Sequence, residues 1–228
     1  MANPYITTEL FAFLRDLKEN NDRDWFQDNK SRYEHHVKEP LLDMIADFAP
    51  LLQDISPHYL AVPKTVGGSL FRIYRDVRFS TDKRPYKTHA GVHFRHKAGK
   101  DVHAPGYYLH VEPDQVFAAL GVWHPPTPVL TGIRNRIAEH PEVWTQVRED
   151  DAFSNTFELR GESLKRLPRG FSDDAPHGDD LKRKDFIGVH TLSEEDALAS
   201  DVLPRLNEIW SRGTPFMSFI CGSVDVPF

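Results

Sequence analysis

The chain has 228 residues and a mass of 26.2 kDa, with 39% hydrophobic, 27% charged and 11% aromatic residues. That balance excludes a collagen, a coiled coil, a disulfide knot and a disordered chain, and it suffices for one domain spanning 1–228 with a buried core. The formal net charge of −6 argues against a globally basic nucleic-acid binder but leaves room for a local basic patch.

Residues 7 to 55 read as three helices. Thr7 or Thr8 can cap the first, because a hydroxyl accepts from the free N–H groups of the opening turn. Leu10, Phe11, Leu14 and Leu17 follow at helical spacing. Asn20 and Asn21 break the pattern. A second helix is expected from near Asp22, carrying Trp25, Phe26, Tyr33 and Val37 toward a core. Pro40 suits the first turn of a third, whose apolar stripe is Leu41, Leu42, Ile45, Phe48 and Leu52.

Residues 69 to 124 read as strands. SLFRIYRDVRF is rich in aromatic and β-branched residues, and its start alternates. AGVHFRHK alternates as well, with Val92 and Phe94 opposed to His93 and Arg95. GYYLHVEPDQVFAALGVWH reads as two strands joined around Glu112, Pro113, Asp114 and Gln115. No helical spacer separates these runs, which favours an antiparallel meander over βαβ units.

Helices return at Pro128, with Leu130, Ile133 and Ile137, and at Pro141, with Val143, Trp144 and Val147. Residues 155 to 190 mix Gly, Pro and dense charge, and one strand is expected there, from Thr156 to Leu159. A helix from Ser193 to Trp210 would bury Leu198, Val202, Leu206 and Ile209. The expected class is α+β: a mainly antiparallel sheet over 69–124, plus that later strand, packed against N- and C-terminal helices.

The single cysteine, Cys221, allows no internal disulfide and suits a reducing compartment. The start, MANPYITTEL, has neither a basic nor an apolar leader region, and no run approaches the length of a membrane span. A cytoplasmic location with no membrane partner is therefore expected.

The segment FRIYRDVRFSTDKRPYKTHAG carries the chemistry. From 71 to 103 stand nine cations, Arg72, Arg75, Arg78, Lys83, Arg84, Lys87, Arg95, Lys97 and Lys100, against Asp76, Asp82 and Asp101. Such an excess inside an acidic chain costs self-repulsion unless an anion or nearby carboxylates answer it. Arg72, Arg75 and Arg78 are interleaved with Phe71, Ile73, Tyr74, Val77 and Phe79, which give them a rigid apolar base, and guanidinium suits planar contact with phosphate or carboxylate. Ser80, Lys83, Tyr86 and Lys87 add donors, as does Tyr108 further on.

The sequence here resembles a family of bacterial and fungal proteins called domain of unknown function 2461. The resemblance rests on NNDRDWFQDNK (Asn20 to Lys30) with Tyr33, on FRIYRDVRFSTDKRPYKTHAG, and on PGYYLHVEPDQVF (Pro105 to Phe117). A weaker match runs from Leu164 to Phe186, where the family's order of acid, His and Pro is altered to Ala175-Pro176-His177. The resemblance spans nearly the whole chain and implies a single domain. It implies no activity, because the family has none established.

Two function classes fit the residues. In an enzyme, the arginines and lysines would hold an anionic substrate, His89 or His110 would act as general acid or base, and Asp76 would orient one of them. Tyr108 and His110 share a strand face, so bound negative charge beside them should raise the His110 pKa. In a non-catalytic module, the same basic face would meet nucleic acid or a protein partner. The acidic remainder disfavours a long polyanion, and no P-loop or GxGxxG motif is present, so a small anionic ligand is the expected partner. No cofactor is identified.

Metal ligation is not expected. His93 and His96 lie three apart, on opposite faces of a strand. His103, His110, His124 and the pair His35–His36 show no ligand motif, and neither HExxH nor clustered carboxylates accompany His89 and His93. The neighbouring arginines raise the cost of a divalent cation.

Overall fold

The computed structural model describes residues 3–99 and 104–228, so Lys100, Asp101 and His103 lie outside the described residues. The N-terminal helices form where their caps predict. Thr7 accepts from the Leu10 amide to open α1 (Thr8–Glu19), and Asp22 accepts from the Trp25 amide to open α2 (Arg23–Asp28). α3 (Lys30–Tyr33) passes through a π turn (Glu34–Lys38) into α4 (Glu39–Ile55), with Pro40 in its first turn.

The strands are β1 (Tyr59–Leu60), β2 (Ala90–His96), β3 (Gly106–Glu112), β4 (Gln115–Val122), β5 (Glu158–Arg160) and β6 (Phe186–Leu192). They form one sheet in the order β1-β2-β3-β4-β6-β5, with every neighbouring pair antiparallel. β3 and β4 close as a tight hairpin through Pro113 and Asp114, and Asp114 takes a positive φ of 66°. Between β4 and β6 run α5 (Thr127–Glu139), α6 (Pro141–Glu149), α7 (Asp151–Ser154) and α8 (Gly178–Leu181). α9 (Glu194–Leu198), α10 (Val202–Ser211) and α11 (Thr214–Gly222) complete the chain. The class is α+β, with helices at both ends of an antiparallel sheet.

Period-two alternation gives the sheet two unlike faces. Val92, Phe94, Tyr107, Leu109, Val111, Val116, Ala118 and Leu120 are buried toward the helices. There Phe94 stacks on Phe48 of α4 at 5.2 Å between centroids and meets Trp210 of α10 edge-on at 5.7 Å. The opposite face carries His93, Tyr108, His110, Glu112 and Phe117, and the segment before β2 lies over it.

Three sequence expectations need correction. The run 71–79 is not a strand: it touches its neighbours through isolated bridges, Leu70 to Val92 and Tyr74 to Tyr86. Its backbone bonds are scattered, Phe71 N–H to Gly91, Arg75 N–H to Pro85 and Ile73 C=O from Lys87, and the Arg78 amide is taken by the Asp76 side chain, so no continuous ladder forms. The irregular 155–190 stretch contains β6 as well as β5, because Phe186, Gly188 and Val189 are apolar enough to pair with β4. The helix expected from Ser193 to Trp210 is two helices. A capping box of Ser193 and Asp196 opens α9, and Arg205 of α10 reaches back to Asp196 at 2.7 Å across the break.

Candidate functional site

The site is built by register. Ala90 pairs with Val111 and Gly91 with His110, so His89, just before β2, falls beside Glu112 at the end of β3. On β3 itself Tyr108, His110 and Glu112 point the same way at every second residue. The rings of His89 and His110 lie 4.4 Å apart, and His110 stacks on Phe117 of β4 at 4.6 Å.

A relay of hydrogen bonds crosses this face. Tyr108 Oη is 3.0 Å from His110 Nδ1, His110 Nε2 is 3.2 Å from Glu112 Oε2, and Thr88 Oγ1 donates to Glu112 Oε1 at 2.6 Å. Burial pushes the His89 imidazole down to about 4, reinforced by the neighbouring His110 and opposed by Glu112. His110 is also lowered, by burial, even though Glu112 pulls the other way. The expected rise at His110 is therefore not a property of the free protein: loss of water outweighs one carboxylate. Burial pushes the Glu112 carboxyl up, but bonds from Thr88 and His110 leave it below its ordinary value. With both imidazoles neutral, Tyr108 donates to His110 Nδ1 and His110 Nε2–H donates to Glu112, an arrangement able to pass a proton along the face.

Phe71 closes one side of this face. Its ring lies 5.9 Å from both His93 and Tyr108, and Lys87 Nζ stands 5.3 Å from its centroid. Lys87 donates to the Arg72 carbonyl at 2.8 Å. Its pKa is lowered by burial and then by the Arg72 charge. Among the described residues no carboxylate lies within ion-pair distance of either cation.

The other basic residues form a separate cluster further along the loop. Arg75 and Arg84 both pair with Asp82 at 2.8 Å, and Arg78 pairs with Asp76 at 2.7 Å. Arg78, through its side chain and backbone, holds the Asp76 carboxyl down to about 2. Lys83 donates to the Val77 carbonyl. Ser80 sits on the same loop, half-buried. Tyr86 is buried, stacked on Phe26 of α2 at 4.1 Å. The structure thus brings Lys87, His89, Tyr108 and His110 together with Arg72 alongside, and holds Arg75, Asp76, Arg78 and Lys83 in a loop network apart from them.

Thr88 reads from the sequence only as a further donor of the 71–91 segment, and Glu112 was missed because it reads as a turn residue. The signal was there: Glu112 has the parity of Tyr108 and His110. His93 lies on this face and His96 is buried on the other, as strand alternation requires. The late basic block serves as an internal buttress. Buried Asp180 accepts from Trp144 Nε1 at 2.8 Å and pairs with Arg148 and Arg183. His177, at a positive φ of 59°, contacts Thr145 Oγ1 and the Pro141 carbonyl.

A separate open cleft of about 510 Å³ is lined by His190, Asp196, Arg205 and Glu208, and includes no residue of the histidine face. Among the described residues no helix is long and apolar enough to cross a membrane. No curated protein and no solved structure matches the chain. A family model described as a conserved hypothetical protein, DUF2461, matches residues 9–219, covering both the histidine face and the loop above it, and the chain belongs to that family.

Proposed function

We propose that this protein binds a small anionic ligand, bearing phosphate or carboxylate, at the edge of the histidine face between Arg72, Lys87 and the His89–His110 pair. One observation carries the reading: Arg72 and Lys87 stand together without a carboxylate partner among the described residues, and Lys87 is half-buried. The exposed Arg72 charge bears on the half-buried Lys87, and an anion between them would offset that repulsion. Neutral His89 and His110 and the Tyr108 hydroxyl supply hydrogen-bonding groups beside them. The Arg75–Asp82–Arg84 and Asp76–Arg78 pairs then serve to shape the loop above the ligand.

The test is a thermal-shift titration with inorganic phosphate, pyrophosphate and citrate. Phosphate stabilises most proteins by exclusion from their surface, so variants must separate site binding from that background. At about 100 times the dissociation constant, bound ligand adds about 2.7 kcal/mol. The extra rise should vanish in Arg72→Gln and Lys87→Gln and persist in Arg78→Gln. Equal shifts in all four proteins would remove the reading. A shift produced only by a single-stranded oligonucleotide would replace it with a nucleic-acid face.

A further inference from the structure

We propose that His89, His110 and Glu112 form a binding site for a divalent transition-metal ion, with two imidazole nitrogens and one carboxylate oxygen as ligands. One ring nitrogen from each histidine and one oxygen from Glu112 all lie within 4.8 Å of one another. His110 Nε2 and Glu112 Oε2 are 3.2 Å apart. Two ligands each about 2.0–2.2 Å from a tetrahedral ion would stand about 3.4 Å from each other. The pair is therefore already at coordination spacing, and His89 needs only a small side-chain movement to join it.

The atoms facing away from this point are tied down. Glu112 Oε1 accepts from Thr88 Oγ1 at 2.6 Å, and His110 Nδ1 lies 3.0 Å from Tyr108 Oη. These are the outer contacts that orient metal ligands and fix the imidazole tautomer. With an ion on Nε2, the His110 proton sits on Nδ1 and donates to Tyr108 Oη. The His110–Glu112 hydrogen bond accounts for two of the three residues without an ion. It does not account for His89, whose ring lies tilted against His110 with no hydrogen-bond partner among the described residues.

The donor set selects the ion. Two imidazoles with one carboxylate suit Zn²⁺ or Fe²⁺, whereas Mg²⁺ and Ca²⁺ take oxygen ligands. Three protein ligands leave coordination positions open for water or a ligand atom. The His110 and Glu112 side chains remain 10% and 17% exposed, which leaves an entry path. On the anion-binding reading, the open positions would face the ligand held by Lys87 and Arg72. The metal site does not require that reading.

The experiment titrates the chelator-stripped full chain with zinc chloride, and anaerobically with ferrous chloride, in a buffer free of phosphate and carboxylates. Calorimetry should report one site of micromolar affinity or tighter for at least one of the two ions. Cobalt(II) should give visible absorption bands showing nitrogen and oxygen ligation. His89→Ala, His110→Ala and Glu112→Gln should each weaken binding by about 100-fold or more, at the upper end for disrupted metal shells. Glu112→Gln keeps the size and the Thr88 contact, so it decides the matter if His110→Ala fails to fold. His93→Gln, on the same face but outside the cluster, should bind as the wild type does. Failure of both ions to bind, or affinity unchanged in His89→Ala and Glu112→Gln, would overturn the proposal. Because no phosphate or carboxylate is present, a negative result in the phosphate titration leaves this one standing, and the converse holds.

Discussion

The Asn21 carboxamide takes both backbone hydrogen bonds of Tyr86: Nδ2 donates to the Tyr86 carbonyl at 3.0 Å, and Oδ1 accepts from the Tyr86 amide at 3.0 Å. A side chain between α1 and α2 thus does for this segment what a neighbouring strand would do. It fixes the stretch that leads to Lys87, Thr88 and His89. The Phe26 ring stacked on Tyr86 seals the same junction.

Replacing Asn21 with Ala should leave two backbone groups of Tyr86 without partners. The cost should be about 1–3 kcal/mol in urea unfolding. Asn21→Asp keeps the acceptor but turns an oxygen toward the Tyr86 carbonyl, so it should recover less than half of the loss. Hydrogen exchange should show the Tyr86 amide losing protection in both variants. An unchanged Tyr86 exchange rate in Asn21→Ala would show that Phe26 alone holds the junction.

Asp180 anchors the region between β4 and β6. It is 6% exposed and meets Trp144 Nε1, Arg148 and Arg183. Asp180→Ala leaves a buried indole N–H unpaired and two guanidinium groups facing each other. The expected loss is about 3–5 kcal/mol. Asp180→Asn keeps the shape and should lose less. A change below about 0.5 kcal/mol, as at an ordinary surface position, would mean that the cluster contributes packing only.

The fold was legible wherever apolar alternation stood alone. Tyr107, Leu109 and Val111 gave β3 its buried face, and Thr7 and Asp22 marked helix starts that the structure keeps, whereas the helix runs through the π turn into the stretch with Pro40. Where side chains satisfy the backbone, the sequence misleads. Residues 71–79 have the composition of a strand, but Asp76 takes the Arg78 amide, and the backbone makes only scattered bonds to its neighbours, among them Phe71 N–H to the Gly91 carbonyl and Arg75 N–H to the Pro85 carbonyl. The phase of Phe186–Leu192 was masked by the charged residues before it. At the site, the shared face of Tyr108 and His110 was readable. The approach of His89 to Glu112 was not, because it depends on the β2–β3 register.

Gly91 stands opposite His110 and makes the site possible. A β carbon there would meet Tyr108 Oη at 2.7 Å and Phe71 at 3.1 Å. Gly91→Ala should therefore cost about 1–3 kcal/mol by overpacking. It should also push Tyr108 away from His110 Nδ1. Nitrogen NMR of the imidazoles should show the His110 Nδ1 hydrogen bond weakened, as in Tyr108→Phe. A stable Gly91→Ala protein with the His110 signals of the wild type would show that Tyr108 has room to move without breaking that contact.

His93 should make the protein acid-sensitive. It faces Tyr108 across the β2–β3 pair and the ring of Phe71, with Arg95 as the nearest charge on its own strand. Burial, helped by Arg95, pushes its pKa down to about 4. In the unfolded chain it returns to about 6.5. Between those values the unfolded state holds a proton that the folded state does not. Stability therefore falls as the pH drops from about 6.5 toward 4, with a slope of at most about 1.4 kcal/mol per pH unit from this group. Below the folded pKa both states are protonated and the slope from His93 ends. Asp76 is held down to about 2, so its contribution is lost only in more acidic solution. His96, also lowered by burial, acts in the same direction. His93→Gln should be less stable than the wild type near pH 7 if its packing suffers, yet its urea midpoint should fall less steeply from pH 6.5 to 4. Parallel profiles for the two proteins would show that His93 takes up its proton as freely in the folded chain as in the unfolded one, and the burial argument at that position would fail.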